Sequence, residues 1–280
     1  MAKLHFTKMH GAGNDYVYFD CFKQPVDNPE ALAEKLSDRH KGVGGDGVIL
    51  ICPSDIADGK MRMFNADGSE GKMCGNGIRC VAKYIYDAGY AKKEVLSIET
   101  LSGIKTCVMH AENGRAVSVT VDMGKAELAP ASIPVNLPGE KIVGQKVQIA
   151  GGEQVITCVS MGNPHCVIFG GDPDQLDLPA IGPRFENDPL FPDRVNTEFV
   201  QVIDSHTLKM RVWERGSGET MACGTGTCAT VAAAVLNGIC PEGEDVKVLL
   251  RGGELIINYT AERVLMTGEA VKVFEGFIEV

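Results

Sequence analysis

Two stretches, Cys74-Gly75-Asn76-Gly77 and Cys223-Gly224-Thr225-Gly226, set the organisation of this chain of 280 residues. Each places a cysteine and two glycines at the start of a helix-like run, and the runs end at Gly89 and Gly238. The two cysteines are separated by 223 − 74 = 149 positions. A motif that recurs at a fixed separation is typical of an internal duplication. The sequence therefore predicts two similar halves, each with one cysteine at a glycine-rich helix start.

The same offset relates other parts of the chain without a gap. Asn14 aligns with Asn163 (163 − 14 = 149), and Lys60-Met61-Arg62 aligns with the identical triplet Lys209-Met210-Arg211. Glu70 likewise aligns with Glu219 (219 − 70 = 149). Separate matches at one offset favour duplication over coincidence.

The local pattern is that of many short strands and few helices. Apolar and β-branched runs predict the strands, and Asn113-Gly114 predicts a hairpin turn between two of them. Asn28 is predicted to cap a helix that runs to about His40, with a counterpart starting at Asp177 (177 − 28 = 149). The cysteine-led helices are predicted over about 76–88 and 225–237.

The helix predicted over 225–237 is apolar on all sides, so it should be buried inside its half. A sheet curled about a central helix would bury it. Gly124 and Gly268 follow comparable strands, which predicts one domain over residues 1–123 and a second over 124–268. The C-terminal strand, 269–280, is expected to return to the first domain.

Composition is that of an ordinary globular protein, with 44% hydrophobic and 23% charged residues. The net charge of −10 argues against nucleic acid or an anionic membrane as a partner. The N-terminus lacks an apolar secretory segment, and no run reaches the ~18 apolar residues that span a bilayer. A cytoplasmic location is the expectation.

Ten cysteines do not predict a disulfide scaffold, because most lie in apolar runs where a thiol packs as a small hydrophobe. The spacings of Cys74 to Cys80 and of Cys223 to Cys228 do not match zinc knuckles, so no metal is expected. The glycine-rich loop 42–47 lacks the lysine of a phosphate loop and predicts a turn. Neither a pyridoxal nor a nicotinamide site is evident, so no cofactor is expected.

A helix N-terminus presents unpaired backbone N–H groups and partial positive charge, which suits a carboxylate. The same position is expected to lower the pKa of a cysteine placed there. Two such cysteines around one substrate would supply two acid/base groups. One removes a proton from carbon while the other delivers a proton to the opposite face, which inverts a stereocentre.

Several motifs together resemble one family, the diaminopimelate epimerases, nearly end to end. They are His10–Asp15, Asn65–Glu70, Met73–Cys80, Gly162–His165, Val195–Phe199, Glu214–Gly216 and Ala222–Gly226. The resemblance implies a pseudo-symmetric α+β fold of two domains, each a mixed strand barrel around a central helix. It also implies a homodimer that interconverts LL- and meso-2,6-diaminopimelate without a cofactor, on the route to lysine and peptidoglycan.

The resemblance assigns roles to individual residues. It makes Cys74 and Cys223 the acid/base pair, and His165 and Glu214 the residues that tune the thiols. Substrate-binding positions are matched by Asn14, Asn65, Gly75, Asn76, Asn163, Asn196, Glu214, Arg215, Gly224 and Thr225. One position departs from the pattern: Gly47 stands where some family members carry a substrate-contacting glutamine.

Two alternatives remain open at this point. One is another isomerase of the same architecture, such as a proline or hydroxyproline racemase or a phenazine-type isomerase. The other is a thiol redox protein in which Cys74 and Cys223 exchange with partners, although redox motifs usually hold both cysteines within a few residues. Arg215 and Asn196 favour the diaminopimelate substrate, because its distal amino-carboxylate needs a fixed charged clamp.

Overall fold

The computed structural model describes residues 3–279, which form a mixed α+β protein. The helices are α1 (Pro29–Ser37), α2 (Gly75–Ala88), α3 (Leu178–Glu186) and α4 (Gly224–Leu236), with short 3-10 turns at Pro130–Ser132 and Pro173–Gln175. The strands are β1 (Lys3–Gly11), β2 (Asn14–Asp20), β3 (Gly47–Cys52), β4 (Gly59–Asn65), β5 (Glu70–Gly71), β6 (Val95–Thr100), β7 (Gly103–Glu112), β8 (Arg115–Gly124), β9 (Gln145–Ile149), β10 (Gly152–Ser160), β11 (Pro164–Gly170), β12 (Asn196–Asp204), β13 (Thr207–Glu214), β14 (Gly218–Glu219), β15 (Asp245–Leu250), β16 (Gly253–Tyr259), β17 (Val264–Glu269) and β18 (Val271–Glu279).

The chain divides into two compact units. Residues Met123–Met266 form the second unit, and the described residues on either side of this segment form the first. The first unit therefore contains both ends of the described chain, and its strand β18 pairs antiparallel with β1.

The two units repeat one order of strand pairing. In the first, the ladder β18-β1-β2-β3-β4-β6-β7 is antiparallel, antiparallel, parallel, antiparallel, parallel and antiparallel. In the second, β9-β10-β11-β12-β13-β15-β16 follows the same series. The register of the strands repeats as well. Tyr16 pairs with Gly47, and the residues 149 positions later, His165 (165 − 16 = 149) and Asn196 (196 − 47 = 149), pair with each other. The predicted duplication is confirmed.

Each unit encloses one cysteine-led helix. Helix α2 packs on β1, β2, β3, β4, β6 and β7, and its predicted inner face is fully buried, with Ile78, Val81 and Ile85 at 0% exposure. Helix α4 packs on β10, β11, β12 and β16. Residues around the whole of its circumference are buried, as its uniformly apolar sequence predicts. These two helices fix where the cysteines lie.

Helix α1 differs from its prediction at both ends. Asn28 adopts a left-handed conformation (φ 48°) and its side chain caps nothing, although Pro29 does open the helix. The helix stops at Ser37 rather than near His40, because the Asp38 carboxylate accepts from the backbone N–H groups of His40 and Lys41. A side chain that captures following amides in this way favours a turn over another helical turn.

Other local predictions are confirmed. Asp177 caps α3 by accepting from the Ala180 amide at 3.2 Å, and the Asn113-Gly114 turn joins β7 to β8 with both residues at positive φ. Strands β6 and β9 were not predicted. Their apolar residues alternate with polar ones, which is itself the pattern of a half-buried strand, so both strands carried a signal that the prediction missed.

Candidate active site

In the first unit, Cys74 is the N-cap residue of α2. Its backbone is extended (φ −126°, ψ 119°), and its Sγ accepts from the Gly77 amide at 3.3 Å, as a serine or threonine hydroxyl does at other helix starts. A Cβ on Gly77 would lie 2.6 Å from Ile49 Cδ1, so a larger residue there would force the Ile49 side chain to shift. The Cys-Gly-X-Gly pattern therefore fixes the thiol at the end of the helix.

Asn14 is the side chain that faces this thiol. It opens β2, and its Oδ1 accepts from Cys74 Sγ at 3.2 Å. Its Nδ2 donates to Asp46 Oδ2 at 2.6 Å, and Arg39 holds the other oxygen of Asp46 at 2.9 Å. The amide of Asn14 is thus oriented by a charged loop that the sequence analysis interpreted only as a turn.

The remaining predicted residues of the first unit lie close by in the fold. Gly75 and Asn76 form the first turn of α2 and are buried. Asn65 ends β4 opposite Gly47, and its Nδ2 donates to Ser69 Oγ at 3.0 Å. Tyr16 was not predicted, yet its hydroxyl hydrogen-bonds the Cys74 thiol. Burial raises the pKa of that thiol, and the bond from Tyr16 opposes part of the rise. Asn14, Tyr16 and Cys74 are therefore brought together directly, whereas Asn65 bonds within its own turn.

The backbone explains why position 47 is glycine in this chain. A Cβ at Gly47 would lie 2.1 Å from the carbonyl oxygen of Phe64, which belongs to the paired strand β4. A backbone oxygen in a ladder cannot rotate away as a flexible side chain can. The glutamine found in some relatives is excluded here unless β3 and β4 move apart.

We expect Gly47→Ala to lower the free energy of unfolding by about 3 kcal/mol, because overpacking a buried strand forces the backbone to shift. Urea unfolding followed by circular dichroism measures it. Gly170→Ala is the matched control, since a Cβ at that strand glycine meets open space. Equal stability of the two variants would contradict the close contact with Phe64.

In the second unit, Cys223 caps α4 in the same way. Its Sγ accepts from the Gly226 amide at 3.4 Å and lies 3.5 Å from Thr225 Oγ1. Thr225 and Gly224 form the first turn of the helix. The two predicted cysteine helix starts thus share one backbone arrangement, as the duplication predicts.

Asn163 and His165 form a hydrogen-bonded series beside this thiol. Asn163 Nδ2 donates to Thr225 Oγ1 at 3.2 Å, and Asn163 Oδ1 lies 3.0 Å from His165 Nε2. His165 is wholly buried in β11, and its Nδ1 lies 2.7 Å from Glu198 Oε1. The sequence motif containing Glu198 was recognised, but its carboxylate was not predicted to take part.

Glu214 and Asn196 lie at the ends of neighbouring strands. The hydroxyl of Thr220, another residue that was not predicted, donates to Glu214 Oε1 at 2.5 Å. Asn196 Nδ2 donates to the Pro164 carbonyl at 2.8 Å, and its Oδ1 accepts from the Arg215 amide at 2.9 Å. Asn196 therefore braces β11 and the turn that carries Arg215.

The guanidinium of Arg215 donates to the Asp193 carbonyl at 2.8 Å. Within residues 3–279, no ion pair joins it to a carboxylate. Glu219, four residues further along the chain, forms ion pairs with Arg211 and Arg251. Among the described residues, the guanidinium of Arg215 therefore contacts a backbone carbonyl and no carboxylate.

The expected lowering of the thiol pKa values is wrong for the free protein. Burial raises the pKa of Cys74 above its ordinary value, and the amides of Gly77 and Asn76 offset this only in part. Burial also raises the pKa of Cys223, and the negative charges of Glu214 and Glu198 add to the shift. Removal from water outweighs the helix start because it penalises the charged form directly.

We expect Glu214→Gln to speed alkylation of Cys223 by iodoacetamide at pH 8 by about 10-fold, the effect of one pKa unit on the thiolate fraction. Removing the like charge lowers the raised pKa of Cys223, so more thiolate is present below that pKa. Mass spectrometry of the two peptides reads both cysteines, and Cys74 is the internal control. An unchanged rate at Cys223 would exclude Glu214 as a cause of the raised pKa.

No helix within residues 3–279 is both long enough and apolar enough to cross a membrane. Over the same residues, no group of three or more histidine, cysteine, aspartate or glutamate side chains is arranged to hold a metal ion.

Several solved proteins share this fold and define the structural class of the chain. A phenazine biosynthesis protein of the PhzF family from Bacillus anthracis matches with a TM-score of 0.72 at 16% identity, covering 100% of both chains. A hydroxyproline epimerase from Agrobacterium vitis matches with a TM-score of 0.69 at 15% identity, covering 99% of this chain and 91% of that one. At such identities, the likeness concerns the fold.

Sequence relatives identify the family within this class. The family model described as diaminopimelate epimerase matches residues 6–129 and 157–273. A diaminopimelate epimerase from Acetivibrio thermocellus is 55% identical over 99% of both chains, and one from Desulfovibrio desulfuricans is 54% identical over 98% of this chain and 97% of that protein. The chain belongs to the diaminopimelate epimerase family.

Proposed function

We propose that this protein is a cofactor-independent isomerase that epimerises LL-2,6-diaminopimelate to meso-2,6-diaminopimelate, supplying lysine and peptidoglycan precursor synthesis. The observation that carries the proposal is the pair of equivalent helix starts, each capped by a cysteine thiol. Membership of the family supports the choice of substrate.

The proposed reaction uses Cys74 and Cys223 as an acid/base pair at one α-carbon. One thiolate removes the α-proton, and the other thiol donates a proton to the opposite face, so that atoms and charge balance without an oxidant or a carrier. Backbone N–H groups at the helix starts stabilise the substrate carboxylate as it gains enolate-like charge. Asn76 and Thr225, in the first turns of α2 and α4, belong to these donor sets.

The raised thiol pKa values bear on how the cycle starts. With both pKa values above the ordinary value, both thiols hold their protons in the free protein at neutral pH. One proton must leave before carbon chemistry begins. Cys74 is the better candidate, because Cys223 faces two carboxylates and Cys74 is hydrogen-bonded by two amides and Tyr16.

The other site residues are proposed to bind the substrate or tune the thiols as in the family pattern. Arg215 clamps a carboxylate, and Asn14 and Asn163 contact polar groups near the reacting carbon. His165 and Glu214 adjust the protonation of the thiols. The same binding role is proposed for Asn65, Gly75, Asn76, Asn196, Glu214, Gly224 and Thr225.

Incubation with LL- and meso-diaminopimelate in deuterated water tests the function. The expected result is interconversion of the two isomers, with one deuterium entering the α-carbon at each inversion. Proline and trans-4-hydroxy-L-proline serve as competing substrates, since solved relatives of the fold include a hydroxyproline epimerase. Turnover of these and not of diaminopimelate would replace the proposed substrate.

A cytoplasmic homodimer is also proposed, from the family resemblance. Light scattering coupled to size-exclusion chromatography tests the oligomeric state. A monomer at all protein concentrations, with full epimerase activity, would remove the dimer from the proposal.

A further inference from the structure

Glu198 is a buried carboxylate whose environment does not match an ordinary core position. It lies in β12 at 0% exposure, and its Oε1 is 2.7 Å from His165 Nδ1. Its Oε2 is buried without a hydrogen-bond partner among residues 3–279. Burying a carboxylate with an unsatisfied oxygen is costly, so a purely structural role would be served better by an apolar residue.

The duplication supplies that apolar alternative within the same chain. The position equivalent to Glu198 in the first unit is Ile49 (198 − 49 = 149), also at 0% exposure. The two side chains occupy the same place relative to their helix starts. A Cβ on Gly77 would lie 2.6 Å from Ile49 Cδ1, and a Cβ on Gly226 would lie 2.6 Å from Glu198 Oε1. This fold therefore does not require a carboxylate at the position.

A continuous series of polar contacts leads from Glu198 to the thiol. After His165 come Asn163 at 3.0 Å, Thr225 at 3.2 Å and Cys223 Sγ at 3.5 Å. Asn163 donates its Nδ2 proton to Thr225, so its Oδ1 is left to accept from His165 Nε2. The Thr225 hydroxyl, having accepted, can direct its own proton to the sulfur.

We propose that Glu198 is a positioning residue for the Cys223 half of the site, holding His165 with a proton on each ring nitrogen so that the series donates toward the Cys223 sulfur. Each link then donates in one direction, from His165 through Asn163 and Thr225. The arrangement stabilises the thiolate that forms when Cys223 releases its proton. The catalytic meaning of this inference rests on the proposed function.

Three charged or titratable groups act on Cys223 in its unit. Glu214 and Glu198 raise its pKa by their negative charge, and His165 lies between Glu198 and Asn163. Glu198 therefore acts through both its charge and its hydrogen bond. A glutamine keeps an acceptor for the Nδ1 proton but no longer balances the charge of a doubly protonated ring, whereas an isoleucine removes both the charge and the acceptor and reproduces the first unit.

The test compares Glu198→Gln with Glu198→Ile. We expect both variants to lower kcat for diaminopimelate by about 30-fold with little change in KM, because neither neutral side chain balances a doubly protonated ring and losing a hydrogen bond to a charged group costs roughly 1.5–3 kcal/mol. Circular dichroism and the alkylation rate of Cys74 check that the fold and the other unit are unchanged. A parent-like kcat in either variant overturns the positioning role.

Two further measurements do not depend on turnover or on the folding of the isoleucine variant. In ¹⁵N-histidine-labelled protein, nuclear magnetic resonance separates a ring with two protonated nitrogens from a ring with one. His165 is expected to show two in the parent, and a singly protonated ring overturns the proposal. Thr225→Val is expected to slow Cys223 alkylation, because the last donor to the sulfur is removed, and an unchanged rate also overturns it. If the parent fails to epimerise diaminopimelate, the proposed function fails while these measurements still decide the role of Glu198.

Discussion

Replacing Cys74 or Cys223 with alanine is expected to lower kcat for epimerisation by at least about 10³-fold, within the range that a positioned acid or base contributes. Either change removes the proton donor or acceptor from one face of the carbon. Chromatographic separation of the LL and meso isomers measures the loss. The thiols cap α2 and α4 through Sγ, so circular dichroism must show both helices retained.

The two variants should also differ in a way that assigns each thiol to a face. With one thiol left, the substrate can exchange its α-proton for deuterium at that thiol and recover its original configuration. Each variant is therefore expected to catalyse exchange without inversion for one isomer only, and the two variants for opposite isomers. Exchange of the same isomer in both would contradict a two-base mechanism.

Cys80→Ala and Cys228→Ala are the matched controls for these variants. Both thiols lie further along α2 and α4 and are fully buried. Their loss should cost about 1 kcal/mol of stability, as a small cavity does, and leave kcat within about 2-fold. A loss of activity as large as that of the capping cysteines would show that α2 or α4 is perturbed generally.

Arg215→Lys is expected to lower kcat/KM for diaminopimelate by about 100-fold, or about 2.7 kcal/mol at 1.36 kcal/mol per factor of ten. Lysine retains the charge but cannot form two parallel hydrogen bonds to a carboxylate. The backbone amide of Arg215, which donates to Asn196 Oδ1, is unaffected by the change. Initial rates at subsaturating substrate measure the effect.

A substrate comparison identifies which group Arg215 binds. Lysine has the carbon skeleton of diaminopimelate without one carboxylate, so we expect the rate of its α-proton exchange in deuterated water to be the same in the parent and in Arg215→Lys. Arg194→Lys is the control substitution, since Arg194 is half exposed and its partner Glu186 also accepts from Trp213 and from the Gly216 amide. Equal losses for both substrates would place Arg215 at the reacting end of diaminopimelate.

Much of the fold was predictable because its signals are local. The capping cysteines, the glycines that follow and the 149-residue offset are all visible in the sequence, and α2 and α4 begin within one residue of their predicted starts. The predicted end of α1, near His40, was wrong because the Asp38 side chain competes with the helix for two backbone amides. Strand β9 was missed although Val147 and Ile149 alternate with polar residues, because two apolar residues are a short signal on their own.

The candidate site was predictable to the extent that its residues occur in motifs. Cys74, Asn14, Asn163 and Cys223 could be named from spacing and resemblance alone. Asp46 and Thr220 could not, although each makes a short hydrogen bond to a predicted residue. Asp46 is 32 residues from Asn14, and no local pattern relates them.

By itself, the sequence determined the duplication, the two cysteine-capped helices and the family, because periodicity, capping and motif identity are properties of neighbouring residues. Only the tertiary structure decided the direction of the thiol pKa shifts, the exclusion of a side chain at Gly47 and the link from Glu198 to Cys223. Burial and charge act through space between distant residues, and they depend on which strands enclose each helix. A helix start favours a thiolate, but the depth at which the fold buries it determines the sign of the shift.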